Sequence, residues 1–87
     1  PTTRSQEILT EGIKNPDRLL SRIGHDEIGI DSVDITDGLR IKLKDGSIIH
    51  LRPSGNAPEL RCYAEADGAL IAQNIVTRCL SKLASMI

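Results

Sequence analysis

Two Asp-Gly pairs, Asp37-Gly38 and Asp45-Gly46, enclose a run in which apolar and charged residues alternate strictly. Asp-Gly is a strong signal for a tight turn between antiparallel strands, because glycine adopts the positive φ that such turns need. The alternation has the period of a strand with one buried face. We therefore predict an antiparallel meander in this part of the chain. The apolar members of the run are Leu39, Ile41 and Leu43.

The register of this hairpin follows from the two faces of its strands. After the second turn, Ile49 and Leu51 alternate with polar residues. A two-residue loop would place Ile41 opposite His50 and mix the faces, whereas a three-residue loop, 44–46, pairs Ile41 with Ile49. We therefore predict the three-residue loop, with Gly46 in the left-handed region. The polar face then carries Arg40, Lys42, His50 and Arg52.

Further strands are predicted on both sides of the hairpin. Ile28 and Ile30 alternate as in a strand, as do Val33 and Ile35, and a change of phase at Asp31-Ser32 indicates a bulge. A fourth strand is predicted over residues 59–65. Its inward side chains are Leu60, Cys62 and Ala64, and its outward side chains are Arg61, Tyr63 and Glu65.

Helices are predicted before and after the strands. The first has Ile8, Leu9 and Ile13 at helical spacing, and Asn15-Pro16 begins a second short helix as N-cap and first helical residue. Asp67 is predicted to cap a long C-terminal helix with a continuous apolar stripe. The stripe consists of Ala72, Ile75, Val76, Cys79, Leu80 and Leu83.

These elements predict a single α+β domain over residues 1–87, with an antiparallel sheet of about four strands covered on one face by helices. The core has no Trp or Phe and must be aliphatic. Both cysteines fall on core faces, which favours reduced thiols and a cytoplasmic protein over a disulfide. A net charge of −1 and the absence of a long apolar run predict neither nucleic acid nor membrane as a partner.

The segment between the last two predicted strands carries the chemistry. Six residues, Pro53 to Pro58, separate Arg52 from Glu59, and they include Ser54, Gly55 and Asn56. A hydroxyl, an inward-turned glycine amide and a carboxamide are hydrogen-bond donors for an anion. Arg52 and Arg61 flank the segment on one sheet face, so their guanidinium groups can converge on a phosphate dianion. The alternative is a proline-stiffened surface loop with two solvated arginines.

The same residues resemble a known signature. Arg52 to Pro58, followed by 60–66, is similar to the C-terminal-domain signature of the α-D-phosphohexomutases: phosphomannomutases, phosphoglucomutases and phosphoglucosamine mutases. The resemblance extends from Val33 to Ala66 and includes both Asp-Gly turns. The commoner signature has Thr at the position of Asn56 and Glu at that of Ala57, and the Asn-Ala form looks most like phosphomannomutases.

The resemblance implies a fourth, TATA-box-binding-protein-like domain that holds the non-transferred phosphate of a hexose phosphate. Mg²⁺, a phosphoserine and a hexose 1,6-bisphosphate intermediate would then belong to the intact enzyme with its other three domains. We therefore expect no catalytic residue and no metal ligand in this chain, and no activity from it alone. The phosphate contacts that the resemblance implies are Arg52, Ser54, Gly55, Asn56 and Arg61.

Two other functions stay open. The basic sheet face is compatible with a small nucleic-acid-binding module, although Tyr63 is the only aromatic residue available for base stacking. The same face is also compatible with a protein-interaction module. We interpret His25 and His50 as structural or surface residues. We interpret Asp31, Asp34 and Asp37 as solvated turn residues rather than as a metal site.

Overall fold

The computed structural model describes residues 2–25, 27–53 and 60–86, and within them the chain forms three helices and four strands. In chain order these elements are α1 (Thr2–Lys14), α2 (Pro16–Arg22), β1 (Ile30–Asp34), β2 (Leu39–Leu43), β3 (Ile48–Pro53), β4 (Leu60–Glu65) and α3 (Ala69–Met86). The four strands form one antiparallel sheet in the order β1-β2-β3-β4. The predicted α+β fold with a four-stranded meander is confirmed.

The junction between α1 and α2 follows the predicted capping rule. The Asn15 side chain accepts a hydrogen bond from the Arg18 amide at 3.3 Å, and Pro16 is the first residue of α2. Proline fits there because the first amides of a helix have no helical acceptor. This cap starts α2 with its apolar side towards the sheet, so that Leu19 and Leu20 are buried.

The predicted hairpin register is also confirmed. Ile41 pairs with Ile49 and Leu39 with Leu51 across β2 and β3. The turn between them has three residues, with the Leu43 amide bonded to the Ser47 carbonyl and Gly46 at φ +90°. One face of β2 and β3 is therefore apolar and completely buried, and the other is polar.

The limits of β1 differ from the prediction. The bulge lies where the phase change placed it, because the register shifts between Ile30 and Ser32. Ile28 and Ile35, however, lie outside the strand. The backbone turns at Gly29 on one side, and on the other the Asp34 carboxylate accepts the Thr36 amide at 2.8 Å, which closes a local turn.

α3 packs on β4 and α1 packs on β2 and β3, so that the two helices together close the core on one face of the sheet. α3 begins at Ala69, and the Gly68 carbonyl accepts the first helical bond from Ala72, so Gly68 rather than Asp67 occupies the N-cap position. Leu80 was predicted in the buried stripe but is 43% exposed. Over the described ranges, no helix has the length and apolar character needed to cross a membrane. The fully buried side chains come from both layers: Ile8, Leu20, Ile23, Leu39, Ile41, Leu43, Ile49, Leu51 and Cys79.

The two cysteines meet between the layers as free thiols. Cys79 of α3 is buried, and Cys62 of β4 is half-buried at the edge of the core. A hydrogen bond from the Cys79 thiol lowers the pKa of Cys62. The same hydrogen bond, followed by burial, raises the pKa of Cys79. The two thiols are therefore chemically unequal.

Candidate anion-binding site

The predicted site lies at the end of the β3–β4 pair. Arg52 and Arg61 are Cα partners across the two strands, and the next pair is Pro53 with Leu60. Their neighbours Leu51 and Leu60 are buried, so strand alternation places both arginines on the polar face. The prediction that the two arginines share a face is confirmed. Ser54, Gly55 and Asn56, the other predicted contacts, lie outside the described residues.

The Arg52 guanidinium is held by two groups, the Asp37 carboxylate in the turn before β2 and the Tyr63 ring on β4. Its Nε lies 3.0 Å from an Asp37 carboxylate oxygen. Its Cζ lies 5.9 Å from the centroid of the Tyr63 ring, within the range of a cation–π contact. The Arg52 side chain is nevertheless 44% exposed, so it remains accessible to a ligand.

Arg61 is in a different situation. It is exposed on β4, and its guanidinium forms no hydrogen bond or ion pair with the part of the chain that the structure describes. Like charges that stand directly opposite each other across two strands destabilise a sheet. An anion between Arg52 and Arg61 would relieve that repulsion, so this pair is suited to bind one.

Asp37 is an exposed turn residue, as predicted, and its contacts also bring it into the site. Besides the ion pair with Arg52, its backbone carbonyl accepts a hydrogen bond from His50 Nε2 at 2.6 Å. His50 lies opposite Tyr63, with ring centroids 6.2 Å apart. The sequence did contain a signal for the contact between Asp37 and Arg52. The predicted hairpin register pairs Leu39 with Leu51, which brings the residues before Leu39 beside Arg52.

Gly38 explains how Asp37 comes so near to β3. A Cβ atom on Gly38 would collide with the Leu51 carbonyl oxygen, and it would lie 3.2 Å from the Arg52 Cα. The residue also has φ +77°, a region that side chains disfavour. Glycine therefore permits the close backbone approach that carries Asp37 to Arg52.

The rest of the polar face is neutralised in part. Arg40 Nη2 lies 3.4 Å from a Glu65 carboxylate oxygen. The Asp34 carboxylate also lies near this face, and the Thr36 hydrogen bonds keep its pKa below the ordinary value, so Asp34 is ionised at neutral pH. Lys42 and Arg61 are therefore the cations of this face without an ion-pair partner among the described residues, and at the end of the β3–β4 pair the positive charge comes from Arg52 and Arg61.

A separate cleft of about 550 Å³ opens at the opposite end of the sheet. Its charged lining consists of Asp45, Glu65 and Asp67, without Lys or Arg. Burial, and then the charge of Arg78, lower the pKa of His25 in its wall. The cleft is unsuited to a phosphate, because its ionised side chains are acidic. Among the described residues, no group of three or more His, Cys, Asp or Glu is arranged to hold a metal ion.

Comparison with known proteins agrees with the resemblance read from the sequence. Residues 6–80 match the family model of the phosphoglucomutase/phosphomannomutase C-terminal domain. A phosphomannomutase of Salmonella muenchen is 48% identical over 81 residues, 93% of this chain and 17% of that protein. A phosphomannomutase of Sinorhizobium fredii (strain NBRC 101917 / NGR234) is 46% identical over 71 residues, 82% of this chain and 14% of that protein. The chain thus spans about a sixth of the length of these curated relatives.

Proposed function

The chain belongs to the family of phosphoglucomutase/phosphomannomutase C-terminal domains, and we propose that it binds the phosphate group of a hexose phosphate. The sugar would be recognised elsewhere, because the site described here offers charges and donors suited to phosphate. The phosphate held is the one that is not being transferred. Both relatives named above are phosphomannomutases, which favours a mannose phosphate as the substrate.

The cross-strand pair of Arg52 and Arg61 carries this proposal. Each guanidinium presents a planar set of donors that matches phosphate oxygens, and charge-assisted bonds of this kind are stronger than neutral ones. Arg52 is already oriented by Asp37 and Tyr63, whereas Arg61 has no partner among the described residues. Among the described residues, the site therefore combines Arg52, a cation that two groups hold in place, with Arg61, a cation without a partner on the same face.

We assign the remaining contacts to the segment that joins the two strands. Ser54 and Asn56 would donate from their side chains and Gly55 from its backbone amide. Together with the guanidinium groups of Arg52 and Arg61, these three donors would surround the phosphate. The role of each rests on its place in the sequence between Arg52 and Arg61.

The proposed mechanism uses binding energy away from the reacting centre. Holding the non-transferred phosphate fixes the sugar relative to groups elsewhere in the intact enzyme, which raises the effective concentration of the reacting atoms. The Mg²⁺, the bisphosphorylated intermediate and the three other domains belong to that enzyme. This chain would contribute position and charge, and by itself would have no mutase activity. A cytoplasmic location stays a prediction.

The nucleic-acid and protein-interaction alternatives are less well supported by the sheet face. Arg40 is paired with Glu65 and Arg52 with Asp37. The Tyr63 ring, which a base would need for stacking, faces Arg52 and His50. A polyanion would have to displace these contacts, whereas a single phosphate needs only the space beside Arg52 and Arg61.

A chemical-shift titration of the ¹⁵N-labelled chain tests the proposal. We expect mannose 1-phosphate, mannose 6-phosphate and inorganic phosphate all to move the amides from residue 52 to residue 61. Affinity without the other domains should be about millimolar, or roughly −4 kcal/mol. The Arg52→Ala variant should lose the response.

Arg40→Ala is the matched control, because it removes an arginine from the same face that lies opposite His50 rather than Arg52 and is paired with Glu65. It should leave phosphate binding within about twofold of wild type, since Arg40 is engaged with Glu65. If a folded chain gives no response at saturating phosphate, or if both variants lose it equally, the proposal is wrong. A response to short oligonucleotides alone would support the nucleic-acid function instead.

A further inference from the structure

Asp37, in the turn before β2, makes two contacts with β3. Asp37 contacts Arg52 through its side chain and His50 through its backbone carbonyl. Both partners are on β3, two residues apart and on the same face. Asp37 is thus attached to β3 at two points, although it precedes β2 in the chain.

From this geometry we infer that Asp37 is a positioning residue, whose carboxylate presets the Arg52 guanidinium for a phosphate ligand. The inference rests on the function proposed above. It assigns to Asp37 no contact with the ligand itself.

The contact with Asp37 involves only one of the N–H donors of Arg52. A guanidinium has five N–H donors, one on Nε and four on the two Nη atoms. Asp37 lies 3.0 Å from Nε. The terminal Nη donors have no hydrogen-bond acceptor among the described residues, so they can meet two phosphate oxygens. A guanidinium held in this way loses less freedom when the ligand binds.

The backbone of Asp37 is itself held against β3. His50 Nε2 donates to the Asp37 carbonyl at 2.6 Å, and His50 is a half-buried residue of a central strand. Gly38 adds close backbone packing on Leu51 and Arg52. A carboxylate on such a backbone can define the direction of a flexible side chain, which a carboxylate on a mobile loop cannot do.

Simple electrostatics predicts the opposite effect on affinity. A carboxylate beside an anion site repels the anion, so removal of Asp37 would tighten phosphate binding if charge alone mattered. Positioning predicts weaker binding after the same removal. The exposed Asp37–Arg52 pair contributes little to folding. Affinity, rather than stability, is therefore the property that separates the two effects.

The test measures the affinity of the chain for inorganic phosphate in Asp37→Ala and Asp37→Asn. We expect Asp37→Ala to weaken binding about three- to tenfold, because Arg52 must then be ordered by the ligand. Asp37→Asn keeps an oxygen acceptor for Nε and should fall between Asp37→Ala and wild type. The Arg52 Nε–Hε resonance should also exchange faster with water in Asp37→Ala before phosphate is added.

Asp45→Asn is the matched control for net charge, because Asp45 lies in the other Asp-Gly turn at the far end of the sheet. It should leave phosphate affinity unchanged. Equal or tighter binding by Asp37→Ala overturns the inference, while loss of binding in Arg52→Ala would still uphold the proposed function. If Arg52→Ala binds like wild type, the proposed function fails and the inference falls with it.

Discussion

Arg52 and Arg61 are paired directly across β3 and β4, so two like charges stand opposite each other where this strand pair ends. Such an arrangement is unfavourable in a sheet that binds nothing. Asp37 offsets the charge of Arg52, but no described residue does so for Arg61. The phosphate that we propose would bridge the two guanidinium groups and offset this repulsion.

Replacement of Gly38 by Ala should destabilise the fold strongly. The new methyl group would meet the Leu51 carbonyl, and the residue would have to keep φ +77°. We expect a loss of about 3 kcal/mol or more in the free energy of unfolding. Urea denaturation followed by circular dichroism measures it.

Gly46→Ala is the control for backbone conformation alone. Gly46 has φ +90°, but a Cβ there would meet nothing within 4 Å. We expect a loss of about 1 kcal/mol. Equal losses for Gly38→Ala and Gly46→Ala would contradict the close approach of the Asp37-Gly38 turn to β3.

The two cysteines should differ in reactivity. Cys62 is half-buried and its pKa is lowered by the Cys79 thiol, whereas Cys79 is buried and its pKa is raised. Since the thiolate is the nucleophile, iodoacetamide should modify Cys62 at least about tenfold faster in the folded chain. Peptide mapping by mass spectrometry gives both rates. In denaturant the two rates should become similar, and faster modification of Cys79 in the folded chain would refute this picture.

His25 should make the domain less stable in mildly acidic solution. Burial, followed by the charge of Arg78, holds its pKa below 6.5 in the folded state. Below pH 6.5 the unfolded state therefore binds the proton more readily than the folded state does. The stability contributed by neutral His25 is full above pH 6.5 and is lost as the pH falls from 6.5 through the folded-state pKa.

Urea unfolding of wild type and His25→Gln between pH 5 and pH 7.5 tests this sign. The free energy of unfolding of wild type should fall more steeply on acidification than that of the variant. An NMR titration should place the His25 pKa below 6.5, and Arg78→Gln should raise it only in part, because burial is the larger cause. A His25 pKa above 6.5 in wild type would rule the prediction out.

Local rules predicted much of the fold. The hairpin register followed from keeping Ile41 and Ile49 on one face, and the α2 start followed from Asn15-Pro16. The placement of Arg52 and Arg61 on one face needed only strand alternation. These features depend on residues that are near in sequence or on the period of a strand, so they can be predicted from the sequence alone.

Other features depend on contacts that a pattern does not specify. Ile28 has the spacing of a strand residue, yet Gly29 ends the extended backbone and Ile28 lines the cleft at the far end of the sheet. The contact of Asp37 with Arg52 joins residues fifteen positions apart. It became visible only with the packing of Gly38 on β3, which is a property of the folded backbone.

The most direct test of phosphate binding by Arg52 and Arg61 is an NMR titration with inorganic phosphate that follows the arginine Nε–Hε signals of the chain. We predict that the Arg52 and Arg61 signals move together with one common dissociation constant. The Arg18 and Arg40 signals should stay in place, since Arg18 lies on α2 and Arg40 is paired with Glu65. Movement of all arginines in parallel, or saturation of binding with the Arg52 and Arg61 signals unmoved, would contradict this prediction.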